Sequence, residues 1–189
     1  MGWRDINVIH TLAASPQRFT NLKDLQITKV PRFSDGMASL LLSRAKQSSI
    51  YVDRSSEYLN WRIVDKPSTN YDIWILGSDS HPDAVVVTKL YRLGNNEVDL
   101  NIVEWGCRDM SLFSQLITSI INRAQMNQSS IKRISLWHNL YNTSNYGLLE
   151  KMGFAPEAPI TYLSGRPNTE QSSTIMSLKN WHISFIDSD

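Results

Sequence analysis

One short stretch, Glu104-Trp-Gly-Cys-Arg-Asp-Met-Ser111, carries a carboxylate, a glycine, a thiol, a guanidinium and a hydroxyl directly ahead of an amphipathic run. If that run is a helix, its first N–H groups and the positive end of its dipole face the stretch, and such a terminus takes anions. Gly106, Arg108 and Ser111 are the groups on offer there. Cys107 stands where a helix dipole lowers a thiol pKa and favours the thiolate nucleophile, although no histidine partner follows from the spacing. His138, flanked by Trp137 and Asn139, reads as an acid or base or as a hydrogen-bonded histidine at a rim. Arg54 and Arg62 read as anion ligands or as surface partners of Asp53, Glu57 and Asp65. Tyr58, Trp61, Tyr71 and Trp74 read as a pocket lining or as core. No His, Cys and Asp set has metal-ligand spacing, and the chain has neither a nucleotide-hydrolase phosphate loop nor a serine-hydrolase elbow.

The elements that would position these groups follow from periodicity. Asp109 caps the clearest helix, in which Leu112, Leu116, Ile120 and Ala124 recur every four residues with Phe113, Ile117 and Ile121 alongside. Before it, Tyr71 to Leu76, Ala84 to Leu93 and Val98 to Ile102 are apolar or alternating runs separated by turn residues, which predicts a three-stranded antiparallel meander. After it, Arg133 to Trp137 predicts a strand parallel to the third meander strand, because a strand, helix, strand crossover makes its two strands parallel. Helices are predicted from Gly36 to Lys46 behind Ser34 and Asp35, and from Ser55 to Val64. A shorter helix over Asn142 to Met152 ends at Gly153. Further strands are predicted over Leu25 to Val30, near Ile160 to Leu163, and over Trp181 to Ile186. Residues 1–32 are set apart as an N-terminal segment or linker with a possible strand, and residues 33–189 form the domain. The fold class is α+β: a mixed, mostly antiparallel sheet with one β-α-β crossover and flanking helices.

Composition narrows the partners. With 189 residues, 41% hydrophobic and 20% charged, the chain has ample material for one packed domain. A net charge of +1 with scattered Lys and Arg gives no pull toward nucleic acid or an anionic membrane. The single cysteine leaves no internal disulfide, and no apolar run reaches the roughly 18 to 20 residues of a membrane span. A cytoplasmic protein is the expectation.

Two stretches resemble a known superfamily. The pattern Asn142-x-x-Asn145-x-x-Leu148-Leu149-x-Lys151-x-Gly153-Phe154 is similar to the fourth-helix motif of the GCN5-related N-acetyltransferases. Val52-Asp-Arg-Ser-Ser-Glu-Tyr-Leu-Asn-Trp-Arg-Ile-Val-Asp-Lys-Pro67 and the ending Asn180-Trp-His-Ile-Ser-Phe-Ile-Asp-Ser-Asp189 resemble the C-terminal half of longer acetyltransferase-like proteins. The resemblance implies the acyl-CoA N-acyltransferase fold, a splayed sheet holding acetyl-CoA. The pyrophosphate would lie on the long helix and the pantetheine between parted strands, with Trp105, Gly106, Cys107, Arg108, Ser111 and Asn142 as cofactor-binding residues. It further implies Glu104 as the general base, acting directly or through water on a small amine or amino sugar, with Glu97 and Asp99 behind it; a solvated strand-end carboxylate is the alternative. The leaving-thiolate acid of the family would fall at Leu149, so that role passes to Tyr146 one turn earlier. The phosphate loop departs from the family pattern too, supplying one glycine and an acidic Asp109. Hence a second reading: a catalytically degenerate lobe with a structural or substrate-binding role in a larger transferase, paired with an upstream lobe of the same fold or with a second copy as a homodimer.

Overall fold

The computed structural model describes residues 4–19, 25–67, 70–94, 97–126, 130–141, 143–165 and 172–187. Its strands are β1 (Arg4–Ala14), β2 (Thr28–Val30), β3 (Asp72–Gly77), β4 (Pro82–Gly94), β5 (Glu97–Cys107), β6 (Ser130–His138) and β7 (Ala155–Gly165). Helices α1 (Asp35–Ala45), α3 (Met110–Met126) and α4 (Thr143–Lys151) are regular, whereas α2 begins as Ser56–Leu59 and widens into a π-helical turn over Asn60–Val64. Serines start the first two helices: Ser34 Oγ accepts from Met37 N and Ser55 Oγ from Tyr58 N, satisfying donors that the helices cannot pair internally.

All seven strands form one sheet in the order β2-β3-β4-β5-β6-β1-β7. The meander β3-β4-β5 is antiparallel, and β5 and β6 are parallel across α3, as the spacing predicts. The segment set apart before Phe33 supplies β1 and β2. β1 lies between β6 and β7 and is antiparallel to both, so the boundary read at residue 32 is not an edge of the fold. Its sequence hides this, because a strand paired on both sides need not alternate cleanly: Ile9, Leu12 and Thr11 are all buried.

Each face of the sheet has its own core. Under α3, Phe113, Leu116, Ile117, Ile120 and Ile121 pack on Val86, Leu100, Ile102, Trp105 and Leu136, joined by Leu149 of α4 and by Phe154. Under α1 and α2, Met37, Leu41, Leu59 and Ile63 pack on Ile73, Ile75, Val85, Val87 and Val103. Each such side chain removed from water contributes roughly 1.5 to 3 kcal/mol. Gly153 sits at φ +95°, the left-handed position that releases the chain from α4 into β7.

The strand predicted over Trp181 to Ile186 is absent. Leu178–Asn180 and Phe185–Asp187 are 3-10 turns, and only a parallel bridge between Ile50 and Trp181 ties this stretch to extended backbone. Its backbone is anchored instead by Ile50, whose N–H donates to Asn180 O and whose carbonyl accepts from His182 N.

Candidate functional site

β5 and β6 are hydrogen-bonded from Glu97 opposite Ser130 to Ile102 opposite Leu136. Beyond that point β5 continues to Cys107 paired with β4, while Trp137 and His138 of β6 pair with β1. The strands part, and a wedge opens in front of α3. β5 carries the cause: its register against β4 steps from Ile102 opposite Thr88 to Glu104 opposite Val87, which leaves Val103 as an extra residue. Such a bulge bends its strand and sharpens the twist. It also puts two successive side chains on one face. Ile102 and Trp105 lie in the core under α3, Val103 lies in the core under α1, and Glu104 follows Val103 to meet Arg44 of α1.

Glu104 is 1% exposed and is enclosed by cations. Arg54 Nε donates to its Oε2 at 2.8 Å, Ser184 Oγ donates to the same oxygen at 2.8 Å, and Arg44 Nη1 donates to Oε1 at 3.3 Å. Its own chain contributes too, with Trp105 N donating to Oε1 at 3.0 Å. Arg54, itself fully buried, turns its other side to Asp187, donating from Nη2 to both carboxylate oxygens at 2.9 Å. Arg44 lays its guanidinium 3.8 Å from the centre of the Trp105 ring, whose opposite contact is the Phe113 ring at 4.4 Å. Two guanidiniums and two carboxylates balance, as buried charge requires.

The electrostatics follow from the packing. Burial alone would raise the Glu104 carboxyl, but Arg54, then His182 and Arg44, outweigh burial and hold it well below the usual carboxylate range. A carboxylate held that way is a poor proton acceptor. Burial pulls Arg44 down to about 10, partly offset by Glu104. Glu104 and Asp187 outweigh the same burial at Arg54 and raise it. His182 Nε2 lies 3.2 Å from Arg44 Nη1 and 4.0 Å from Glu104 Oε1. Arginine only donates, so Nε2 accepts and the imidazole is neutral; burial lowers its pKa further, with Arg44 acting the same way.

The remaining predicted residues do not converge on one reaction centre. Asp109 Oδ1 accepts from Ser111 N at 2.7 Å, so the start of α3 is already served by a carboxylate of its own chain. Gly106 brings β5 against α1: a Cβ there would lie 3.2 Å from Leu41 Cδ2 and 3.3 Å from Leu40 O. Cys107 is half-buried beside Met110 Sδ, and burial pushes its thiol up to about 11, away from a thiolate. Arg108 is exposed and pairs with Asp83 at 3.6 Å. His138 is 3% exposed rather than at a rim, and its ring stacks on Tyr146 at 6.2 Å. Leu149 is core, and Asn142 lies outside the described residues. Of the aromatic set, Trp74 is core and donates from Nε1 to Thr88 Oγ1, whereas Trp61 is 65% exposed. No three His, Cys, Asp or Glu side chains gather around a possible metal position among the described residues.

Sequence reading missed the partners of Glu104. Arg54 and Arg62 read as anion ligands or as surface partners of Asp53, Glu57 and Asp65; the structure buries Arg54 with Glu104 and Asp187, and Arg62 Nε donates to Ile186 O. Arg44 drew no notice as an ordinary arginine in the last turn of a helix. The one usable signal was that Arg54 lies in the stretch from Val52 to Pro67 that carries the resemblance.

No family model and no curated protein sequence matches this chain. Solved structures do. A GCN5-related N-acetyltransferase from Anabaena variabilis superposes with a TM-score of 0.57 at 13% identity, over 86% of this chain and 40% of its own. A conserved protein of unknown function from Enterococcus faecalis, described as a probable N-acyltransferase, gives 0.56 at 15% identity over 86% and 40%. A GCN5-related N-acetyltransferase from Kribbella flavida gives 0.53 at 12% identity over 86% and 38%. This chain therefore spans about 40% of the length of the first structures it matches. Identity this low carries the fold alone.

Proposed function

We propose that this chain, which has the GCN5-related N-acetyltransferase fold, is an acetyltransferase-like lobe that binds or scaffolds within a larger transferase and does not itself transfer acetyl groups. The observation that carries this is the locked Glu104. The carboxylate that would take a proton from an amine is held ionised by Arg54 and Arg44, with Ser184 donating to it, just past the point where β5 and β6 part. Two further features agree with it. The carboxylate of Asp109 serves the helix terminus where a pyrophosphate would sit, and its charge repels a second anion. Leu149 replaces a phenol where a thiolate would need a proton.

Acetyl-CoA enters this reading as a ligand of another lobe. The tail from Leu178 to Asp187 crosses the wedge. Ser184 and Asp187 reach Glu104 and Arg54 on one side, and Asn139 at the end of β6 donates to Leu178 O and Trp181 O on the other. Calorimetric titration of the full chain with acetyl-CoA tests the proposal. No saturable heat is expected up to about 1 mM; a micromolar Kd, with coenzyme A released when a primary amine is added, would overturn it.

A further inference from the structure

Below the wedge, β4, β5 and β6 present a pocket of about 400 Å³ on the face that carries α1. Period-two alternation sends Lys89 and Tyr91 of β4, Asp99 and Asn101 of β5, and Arg133 and Trp137 of β6 to this pocket together. None of them is used by the Glu104 cluster. The floor is polar and already fixed: Arg133 Nη2 donates to Asp99 Oδ2 at 2.6 Å, and Ser135 Oγ donates to Asn101 Oδ1 at 2.7 Å. Those bonds hold planar groups in place and leave the Asn101 amide nitrogen and the second Asp99 oxygen unengaged among the described residues. The flanks are aromatic. Trp137 packs on Phe185 of the tail at 4.8 Å between centroids, and Tyr91 stands 50% exposed at the mouth with the Lys89 ammonium 5.1 Å from its ring centre.

A pre-set floor that both donates and accepts, beside flat apolar walls, suits a rigid ring with hydroxyls on its rim and C–H groups on its faces. A wholly apolar ring would leave the floor groups unpaired, which is costly. A phosphate or a carboxylate would meet Asp99, and Arg133 already faces Glu157 as well. We propose that this pocket binds a neutral monosaccharide unit; Arg133 already lies between Asp99 and Glu157, so the floor offers no excess charge to an acidic or an ammonium sugar. The proposal deepens the binding-lobe reading by naming what the lobe holds, and its test uses no cofactor, so either can fail without the other.

The full chain is titrated by calorimetry with methyl glucoside, methyl glucuronide and glucosamine. Saturable binding of methyl glucoside is expected with Kd on the order of 1 mM, and the glucuronide and glucosamine should both bind more weakly. Asn101→Ala and Tyr91→Ala should each weaken binding by about tenfold, the loss of one polar or aromatic contact; the melting temperature should stay unchanged in Tyr91→Ala, whereas Asn101→Ala also removes the acceptor of buried Ser135. Tyr91 is half-exposed on β4, so its variant keeps the test independent of folding. No heat with methyl glucoside, tighter binding of either charged sugar, or unaltered affinity in either variant overturns the proposal.

Discussion

Glu104 holds together four parts of the chain that are far apart in sequence: the end of α1 through Arg44, the approach to α2 through Arg54, its own bulged strand, and the tail through Ser184. Glu104→Gln leaves Arg44 and Arg54 facing Asp187 alone. Removing one partner of a buried pair costs roughly 3 to 5 kcal/mol, and chemical denaturation should show a loss of that size; a change under about 1 kcal/mol would mean the cluster is not coupled. The same cluster sets the pH dependence. His182 has its folded pKa lowered below the ordinary 6.5, so the unfolded chain binds that proton more readily. Its contribution is therefore complete above pH 6.5 and lost as pH falls through 6.5 toward the folded value. Glu104, also lowered, contributes above 4.5 and is lost as pH falls below that. Urea midpoints between pH 8 and 5 should decline and should flatten in His182→Asn; an identical decline in both would assign the slope elsewhere. Little of this was legible, because Arg54 has acidic neighbours in sequence and its true partners lie 50 and 133 residues away.

α3 is the element that sequence displays best: Phe113, Leu116, Ile117, Ile120 and Ile121 are buried as the spacing marks them, although Leu112 and Ala124 are only partly buried and Thr118 and Ser119 are buried beside them. Phe113 ties it to the site by stacking on Trp105, which in turn carries Arg44. Phe113→Ala should cost about 3 to 5 kcal/mol and should also change the near-ultraviolet dichroism of tryptophan. A stability loss with no spectral change would separate the core of α3 from the wedge. β4 and β5 were legible as alternating runs, but the bulge at Val103 was not: Val103 and Glu104 both turn to one face only because the register against β4 slips there. The tail misled for the opposite reason. Its apolar residues Trp181, Phe185 and Ile186 resemble a strand, yet they serve as separate anchors, with Ile186 in the core under α1 and Phe185 against Trp137.

At the scale of the molecule, the first strand is inserted among the last. β1 separates β6 from β7, so closing the sheet needs the start of the chain and residues beyond 155 at once. No local pattern encodes that pairing, whereas the crossover through α3 follows from chain order. Deleting residues 1–14 should abolish cooperative unfolding, because β6 and β7 lose their shared neighbour. A truncated chain that still unfolds in one sharp transition would show β1 to be dispensable. No helix among the described residues is long and apolar enough to cross a membrane. The fold gives this chain a parted pair of strands, and past the parting Glu104 is held by Arg54, Arg44 and Ser184. The most direct measurement is a crystal structure grown with coenzyme A in excess. The account predicts the Arg44–Trp105 contact and the Arg54–Glu104 pair intact with no pantetheine between β5 and β6. Density for pantetheine running between Val103 and Trp137, with Arg44 displaced, would contradict it.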